Sequence, residues 1–243
     1  MKMLAFAKRN TKEILRDPLT LFFGLGFPVV LLLLLSAIQS NIPVDMFEIQ
    51  HLSPGIAVFG LSFMTLFSAT LISRDRGSAL LQRLYTTPLT PADFILGYTL
   101  PIIPVSVAQT VACYGVAVIL GLEISINLLL AIIFIIPISV FFIALGLLFG
   151  SILNDKQVGG ICGALLTNLS AWLSGIWFDL GLVGGVFEKI AYALPFVHAV
   201  ELERALVQGS FSSIMTHLVW IICYSLVFLA LAIYLFLRQM KRQ

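Results

Sequence analysis

Six long runs of apolar residues, separated by short polar stretches, divide the 243-residue chain. A helix that crosses a bilayer needs roughly 20 consecutive, mostly apolar residues, and each run has about that length or more. Charged residues make up only 11% of the chain, whereas a water-soluble domain carries roughly 25%. The pattern predicts an all-α integral membrane protein with six transmembrane helices, at about residues 19–38, 54–72, 94–122, 126–153, 158–178 and 215–237.

The positions of Lys and Arg predict how these helices are oriented. Loops on the cytoplasmic side of a membrane carry an excess of both residues. In a six-span arrangement, Lys189 and Arg204 lie on one side, and the other 12 of the 14 basic residues lie on the opposite side. Both termini are therefore predicted to be cytoplasmic in a multi-pass protein of the cell membrane. The net charge of +2 is too small to favour nucleic acid as a partner.

Residues 1–17 have the composition of an amphipathic helix that lies in the membrane interface. At 100° per residue, basic residues such as Arg9 and Lys12 fall opposite an apolar side made of Met3, Leu4, Ala7, Ile14 and Leu15. Such a helix rests its apolar side in the headgroup layer and places its cations near anionic lipid. Asp17-Pro18 is expected to end the helix and turn the chain into the bilayer.

Several classes of function leave motifs that this sequence lacks. It contains no Gly-Lys dipeptide, so the phosphate-binding loop of P-loop ATPases is excluded. The predicted spans contain no Asp, Glu, Lys or Arg, which disfavours a transporter with a midplane proton relay. No paired catalytic residues or metal-ligand spacing are present, so the chain is predicted to be neither an enzyme nor a metal protein. Ser and Thr within the spans are expected to serve helix packing.

The predicted cytoplasmic loop between the second and third spans, residues 74–93, has an unusual composition for a loop. Residues 78–85 favour a short helix, and Thr86-Thr87-Pro88 ends it. A second helix begins directly afterwards, where Thr90 can cap and Pro91 takes the first helical position. The pattern predicts a short helix across the cytoplasmic mouth of the bundle, with an ordinary solvated loop as the alternative.

At these residues the chain resembles the permeases of type-2 ABC exporters, the ABC-2-type transporters. The family pattern is an acidic–basic pair, Gly and a small residue, then a short helix ending in Arg-Leu, then Thr-Pro. Here it reads Arg74-Asp75-Arg76-Gly77-Ser78, Arg83-Leu84 and Thr87-Pro88. The match departs at Asp75 and Gln82, since Glu is commoner at both positions. The resemblance extends over residues 1–243, which are expected to form a single transmembrane domain.

The resemblance implies a separate energy source. Two ATPase subunits on other chains bind ATP and Mg²⁺, and a second permease chain, identical or related, completes the complex. The short cytoplasmic helix, at about residues 77–85, is a coupling helix that sits, together with the amphipathic start of the chain, in a groove of the ATPase. The residues expected to couple the permease to the ATPase are Arg74, Asp75, Arg76, Gly77, Leu80, Leu81, Arg83, Leu84, Tyr85, Thr87 and Pro88.

The resemblance also implies a re-entrant pair of short helices at the outer surface, within residues 179–213. Four polar residues there are expected to meet substrate as it leaves the pathway: His198, Glu201, Glu203 and Arg204. The alternative is that they are solvated charges at the lipid interface.

The expected function is export of a hydrophobic or amphipathic compound, such as a drug, an antibiotic or a lipid-like molecule, from a bacterial cell. This substrate class rests on a pathway without fixed charges and on the lack of a large outer domain. Export of a polysaccharide or glycolipid is the alternative within the same fold. A polytopic membrane protein or enzyme that transports nothing is the alternative outside it.

Overall fold

The computed structural model describes residues 2–42, 45–78 and 90–240, and every regular element within these ranges is helical. Short π-helical stretches at Phe22–Gly26 and Gly159–Leu166 and a 3₁₀ turn at Asp45–Phe47 join α-helices. The α-helices are α1 (Lys2–Leu15), α2 (Pro18–Leu21), α3 (Phe27–Asn41), α4 (Ile49–Gly77), α5 (Pro91–Ile119), α6 (Ile126–Ile152), α7 (Asp155–Val158), α8 (Thr167–Trp172), α9 (Leu180–Val183), α10 (Gly185–Ala193), α11 (Pro195–Gln208) and α12 (Ile214–Met240).

Five helical segments of the described residues are long and apolar enough to cross a bilayer. The predicted fifth span, residues 158–178, is not among them, so the prediction of six spans is not confirmed. That stretch is divided into α7, a π-helical stretch and α8, and it contains glycines and Asn168, which lower its hydropathy. The five segments are Pro18–Asn41, Ile49–Gly77, Ala92–Ile119, Ile126–Ile152 and Ile214–Leu235.

The stretch from α7 to Ile176 nevertheless runs antiparallel to α4 over most of its length. At one end, Arg74 Nε lies 3.5 Å from Asp155 Oδ1. Farther along, Gly163 packs against the Leu66 side chain. At the other end, Ile176 lies against Gly55. With a helical rise of about 1.5 Å per residue, this stretch covers roughly 30 Å of α4.

The buried centre of the bundle is α4, which packs most extensively against α6. Two glycines of α6 allow this approach: a Cβ on Gly146 would overlap the Ser68 side chain, and one on Gly150 would lie 2.7 Å from the carbonyl oxygen of Ala69. Thr65 and Ser68 donate hydrogen bonds to carbonyl oxygens of α6 at 2.9 and 3.2 Å. The predicted packing role is thus confirmed for these residues.

Helix α1 packs on α5 and does not rest on lipid alone. Phe6 is buried between the rings of Phe94 and Tyr98, and it lies so close to Gly97 that a Cβ there would clash with it. Asn10 is fully buried and donates to the carbonyl oxygen of Gly97 at 2.9 Å. The apolar side predicted from the helical wheel is therefore divided: Ala7 and Ile14 are buried, whereas Leu4 and Leu15 are exposed.

The predicted boundaries of two helices are confirmed by their caps. Asp17 accepts a hydrogen bond from the backbone N–H of Thr20 at 3.1 Å, and Pro18 begins α2. Thr90 and Asp93 form a capping box at the start of α5, each side chain accepting from the other residue's backbone N–H.

Helices α10 and α11 form a hairpin whose tip lies deep among α6 and α12. Near the tip, the carbonyl oxygen of Ala193 accepts a 2.7 Å hydrogen bond from Tyr224, about ten residues into α12, and Phe196 contacts Phe141 at mid-length of α6. The far end of α11 returns to the start of α6, where Gly209, in the left-handed region at φ 74°, lies against Asn127. The hairpin therefore enters and leaves at the same end of the bundle.

Candidate functional site

The polar residues of interest gather at two opposite ends of the bundle. One end holds α1, the last turn of α4 and the start of α5, and we name it the α1 end. The other holds the start of α4, the end of α5 and most of α11, and we name it the α11 end. Each end contains a fully buried carboxyl group. A carboxyl group away from water needs hydrogen-bond partners or a counter-charge.

At the α1 end, Asp75 in the last turn of α4 is only 1% exposed. Its Oδ2 atom accepts hydrogen bonds from Arg9 Nη1 at 2.8 Å and from the Tyr98 hydroxyl at 2.7 Å. The guanidinium supplies a counter-charge, so the carboxylate is buried as an ion pair with an added neutral donor. We call these three residues the Asp75 cluster. It ties α1 to α4 and α5, which come much later in the sequence.

Arg9 is held in place by further partners on its own helix. Its Nη1 atom donates to Asn10 Oδ1 at 2.7 Å, and its Nη2 atom lies 2.7 Å from Glu13 Oε2. Because Asn10 is in turn bonded to α5, the orientation of α1 about its axis is fixed by contacts on both sides of the arginine.

The two arginines of the motif that lie in the described residues, Arg74 and Arg76, also bind within this chain. Arg76 Nη1 donates to the carbonyl oxygens of Gly150 and Leu153, at 2.9 and 3.1 Å, and so caps the end of α6. Arg74 is half-exposed and pairs with Asp155. Among the described residues, no atom lies near enough to contact a Cβ placed on Gly77. The structure thus gives Arg76 and Asp75 internal partners, and their effect on an ATPase stays a prediction.

The rest of the predicted coupling helix lies outside the described residues. The positions concerned are Leu80, Leu81, Arg83, Leu84, Tyr85, Thr87 and Pro88. The chain leaves the described structure after Ser78, one residue beyond α4, and returns at Thr90. Residues 79–89 therefore connect α4 and α5, two of the helices that the Asp75 cluster holds together.

At the α11 end, the four predicted outer residues all lie on α11, but they do not form one site. Positions 201 and 204 share a helix face, whereas 203 faces the other way. Arg204 and Glu201 line a cavity of about 360 Å³, together with His51, Asp179 and Tyr192. Arg204 donates to Glu201 at 2.8 Å, to the carbonyl oxygen of Gly175 at 3.0 Å and to that of His51 at 3.4 Å.

Glu203 is fully buried on the opposite face of α11. Helix α11 itself does not span the bundle. The Oε2 atom of Glu203 accepts a 2.7 Å hydrogen bond from the Tyr114 hydroxyl of α5, and its Oε1 atom has no hydrogen-bond partner among the described residues. Burial raises the pKa of this carboxyl to about 8, against the smaller opposing effect of the tyrosine. Glu203 is therefore a neutral, protonated group at pH 7, neither a solvated charge nor part of the cavity.

His198 forms a third arrangement, in which it joins α11 to α12. Its Nδ1 atom lies 2.9 Å from His217 Nδ1, and its Nε2 atom lies 3.0 Å from the carbonyl oxygen of Tyr192. Because a carbonyl oxygen only accepts, His198 carries its proton on Nε2 and accepts from His217. The ring also stacks on Trp220, with centroids 4.7 Å apart. Burial lowers the pKa of His198, so this neutral form is the favoured one.

Sequence reasoning missed most partners of these groups. Tyr98 and Tyr114 have no signal in a span, because a tyrosine in an apolar run is typical of packing. Asn10 carries a usable signal, since position 10 falls next to Ile14 at the edge of the apolar side of the wheel, where a polar residue that is buried needs a partner.

Comparison with known proteins bears on residues 1–207, which match the family described as ABC-2 type transporter. The match extends from the first residue of the chain almost to the end of α11, so it includes the Asp75 cluster and all four outer residues. A search of the curated proteins gives no match to the chain.

Proposed function

Because the chain belongs to the ABC-2 type transporter family, we propose that it is the permease of an ATP-driven exporter. A member of this family is the membrane component of an ABC transporter and works with an ABC ATPase. In our proposal two separate ATPase subunits bind ATP and Mg²⁺, and two permease chains, identical or related, form the pathway. The complex exports a hydrophobic or amphipathic compound across the cell membrane.

The observation that carries this proposal is the Asp75 cluster. Two of its residues flank the stretch 79–89 in sequence, since Asp75 precedes it on α4 and Tyr98 follows it on α5. This stretch holds part of the family's coupling motif and joins α4 to α5. A displacement of that stretch by the ATPase is transmitted directly to α4 and α5, and it is transmitted to α1 through Arg9. The three helices therefore move as one unit, which is what conversion of ATPase closure into movement of the spans requires.

The orientation in this proposal requires a sixth crossing. With five crossings, α1 and Arg238 would lie on opposite sides, against the strong clustering of basic residues on one side. The stretch from Asp155 to Ile176 runs along α4 from end to end, which supports its crossing the bilayer beside α4. The α1 end is then cytoplasmic and the α11 end is outside.

The hairpin of α10 and α11 is then re-entrant from the outer surface. Non-spanning helices at membrane depth are tolerated where protein surrounds them, and α11 is buried over most of its length. The cavity at Arg204 and Glu201 opens at this end, which supports an exit for substrate there. Arg204 pairs with Glu201 in the cavity wall, and Glu203 and His198 on the same helix are neutral, so α11 adds little net charge at this exit.

Affinity purification from native membranes tests the proposal. We expect a separate ATP-hydrolysing subunit to co-purify with the chain in mild detergent. Replacing Leu84→Ala should remove it, because an apolar anchor at the centre of an interface carries much of its binding energy. Leu226→Ala is the matched control, since Leu226 is 61% exposed on α12, far in sequence from the loop.

The outcomes separate the candidate functions. Loss of the ATPase in Leu84→Ala alone supports the coupling helix, and stimulation of ATP hydrolysis by amphipathic compounds then supports the substrate class. Stimulation only by lipid-linked sugars would support the polysaccharide alternative. A chain that emerges alone under several mild conditions would contradict the permease proposal.

A further inference from the structure

The α1 end carries a groove of about 890 Å³ with an excess of positive charge. Its cations are Lys8, Arg9, Lys12, Arg16 and Arg74. The two carboxylates in its wall, Glu13 and Asp17, are already engaged, since Glu13 pairs with Arg9 and Asp17 caps α2. Within the described part of the chain, Lys8, Lys12 and Arg16 form no ion pair. The groove therefore presents uncompensated cations to a ligand.

An apolar cleft of about 560 Å³ adjoins this groove, between α1 and α5. Leu4 and Ala7 form one wall, and Leu100 and Pro101 form the other. Lys8 and Lys12 line both the groove and the cleft. Two lysines thus stand at the junction of a cationic surface and an apolar surface.

The contacts of α1 with α5 fix the side on which this junction lies. Phe6, Asn10 and Ile14 are buried against the protein, and the helix cannot roll without breaking the Asp75 cluster. At 100° per residue, Leu4 and Leu15 follow this buried stripe, and Lys8 and Lys12 come next. The exposed surface thus passes from apolar to cationic, in the order that an interfacial helix needs to meet acyl chains and headgroups.

We propose that the groove and cleft together bind one anionic phospholipid of the inner leaflet. Its phosphate contacts Lys8 and Lys12, and one acyl chain lies in the cleft between Leu4 and Leu100. A small anion would use the groove but not the cleft, and an uncharged lipid would use the cleft but not the groove. Because α1 is tied to Asp75, the bound lipid stabilises the orientation of α1 against α4 and α5. This binding site is an addition to the permease role.

Native mass spectrometry of the full chain in mild detergent tests the site. The probe is phosphatidylglycerol, compared with phosphatidylcholine that has the same acyl chains. Each lysine near an anionic lipid surface is worth about a fivefold change in binding, so the double variant K8Q/K12Q should lose roughly 20-fold in preference for phosphatidylglycerol. The variant K8R/K12R should keep it and shows that the helix tolerates substitution.

The matched control is K156Q/R238Q, which removes two positive charges from the proposed cytoplasmic side at residues that do not line the groove. It should keep the preference to within about twofold. Equal losses in both double variants would show a general surface-charge effect and overturn the site. Glycerol phosphate in millimolar excess should not displace the lipid, and full displacement would reduce the site to a phosphate pocket. Loss of ATPase binding in K8Q/K12Q with unchanged lipid preference would assign the groove to a protein contact and overturn the proposal.

Discussion

Two buried tyrosine–carboxyl pairs, one at each end of the bundle, have nearly the same local geometry. The Tyr98 hydroxyl donates to Asp75, and the Tyr114 hydroxyl donates to Glu203, each at 2.7 Å. Both carboxyl groups are almost fully buried. They differ in the third partner, because Arg9 reaches Asp75, while one oxygen of Glu203 has no hydrogen-bond partner in the described structure.

The difference shows that the same donor can serve two electrostatic states. At the α1 end, the guanidinium makes it possible to bury a charged carboxylate, and the cost of desolvation is offset by the ion pair. At the α11 end, the carboxyl group has only a neutral donor and keeps its proton. An ionic cluster gives a directional tie between three helices, whereas the neutral pair joins α5 to α11 without burying a charge of its own.

Removing Arg9 should have the largest effect, because Asp75 would then be a buried charge without a counter-ion. Breaking a buried pair costs 3–5 kcal/mol, and since Arg9 itself is 39% exposed, we expect about 3 kcal/mol for Arg9→Met. The free energy of unfolding in bicelles measures it. Arg16→Met is the control, since Arg16 is exposed and comes one residue after α1 ends; equal losses in both variants would contradict the role of the Asp75 cluster.

The pH dependence of Glu203 should come next. Its pKa is raised from 4.5 to about 8, so the folded chain keeps a proton that the unfolded chain releases above pH 4.5. This contribution to stability is full below pH 4.5 and is lost as the pH rises to about 8. Each pH unit well below 8 is worth about 1.4 kcal/mol, and the slope falls as the folded carboxyl itself ionises near pH 8, so the total between pH 6 and pH 8 is roughly 2 kcal/mol.

Glu203→Gln should flatten this pH dependence, because an amide of the same shape does not titrate. Unfolding free energies at pH 6, 7 and 8 provide the measurement, and Glu201→Gln is the control on the same helix. If the wild-type chain and Glu203→Gln show the same slope, Glu203 does not hold a proton in the folded state.

The same substitution at both ends compares the two pairs directly. Tyr98→Phe removes a hydrogen bond to a charged group and should cost about 2 kcal/mol, whereas Tyr114→Phe removes one to a neutral group and should cost about 1 kcal/mol at pH 6. Only Tyr98→Phe should also weaken coupling between ATP hydrolysis and transport. Equal costs would mean that the two carboxyl groups share one charge state.

The smallest effect is expected at His198. His217→Phe removes the donor to His198 Nδ1 and should cost about 1 kcal/mol at pH 7.5. Burial lowers the pKa of His198 below 6.5, so the contribution of the neutral ring is present above pH 6.5 and falls as the pH drops. The cost of the variant should therefore shrink as the pH is lowered until His198 is protonated, which a series of thermal unfolding curves from pH 7.5 downward can test; a cost that stays constant throughout the series would contradict this role of the neutral ring.

The amino-acid sequence was most informative where a signal is local. The Thr90–Asp93 capping box and the turn at Asp17-Pro18 involve residues within one helical turn, and both occur as predicted. Two pairs of glycines show the limit of such signals: Gly146 and Gly150 lie at a close helix contact, but Gly159 and Gly160 have no atom of the described residues near enough for a Cβ to contact. A glycine pattern indicates that close approach is possible, and only the neighbouring helix determines whether it occurs.

By itself the sequence determined that the chain is a helical membrane protein, because apolar runs of this length need a bilayer and local residues set the helix ends. It also carried the motif of the ABC-2 family. Only the tertiary structure decided that Asp75 is paired with Arg9, that Glu203 is neutral, and that the stretch after Asp155 packs along α4. These properties depend on burial and on partners that lie tens of residues away, and charge state follows from such surroundings and not from residue type.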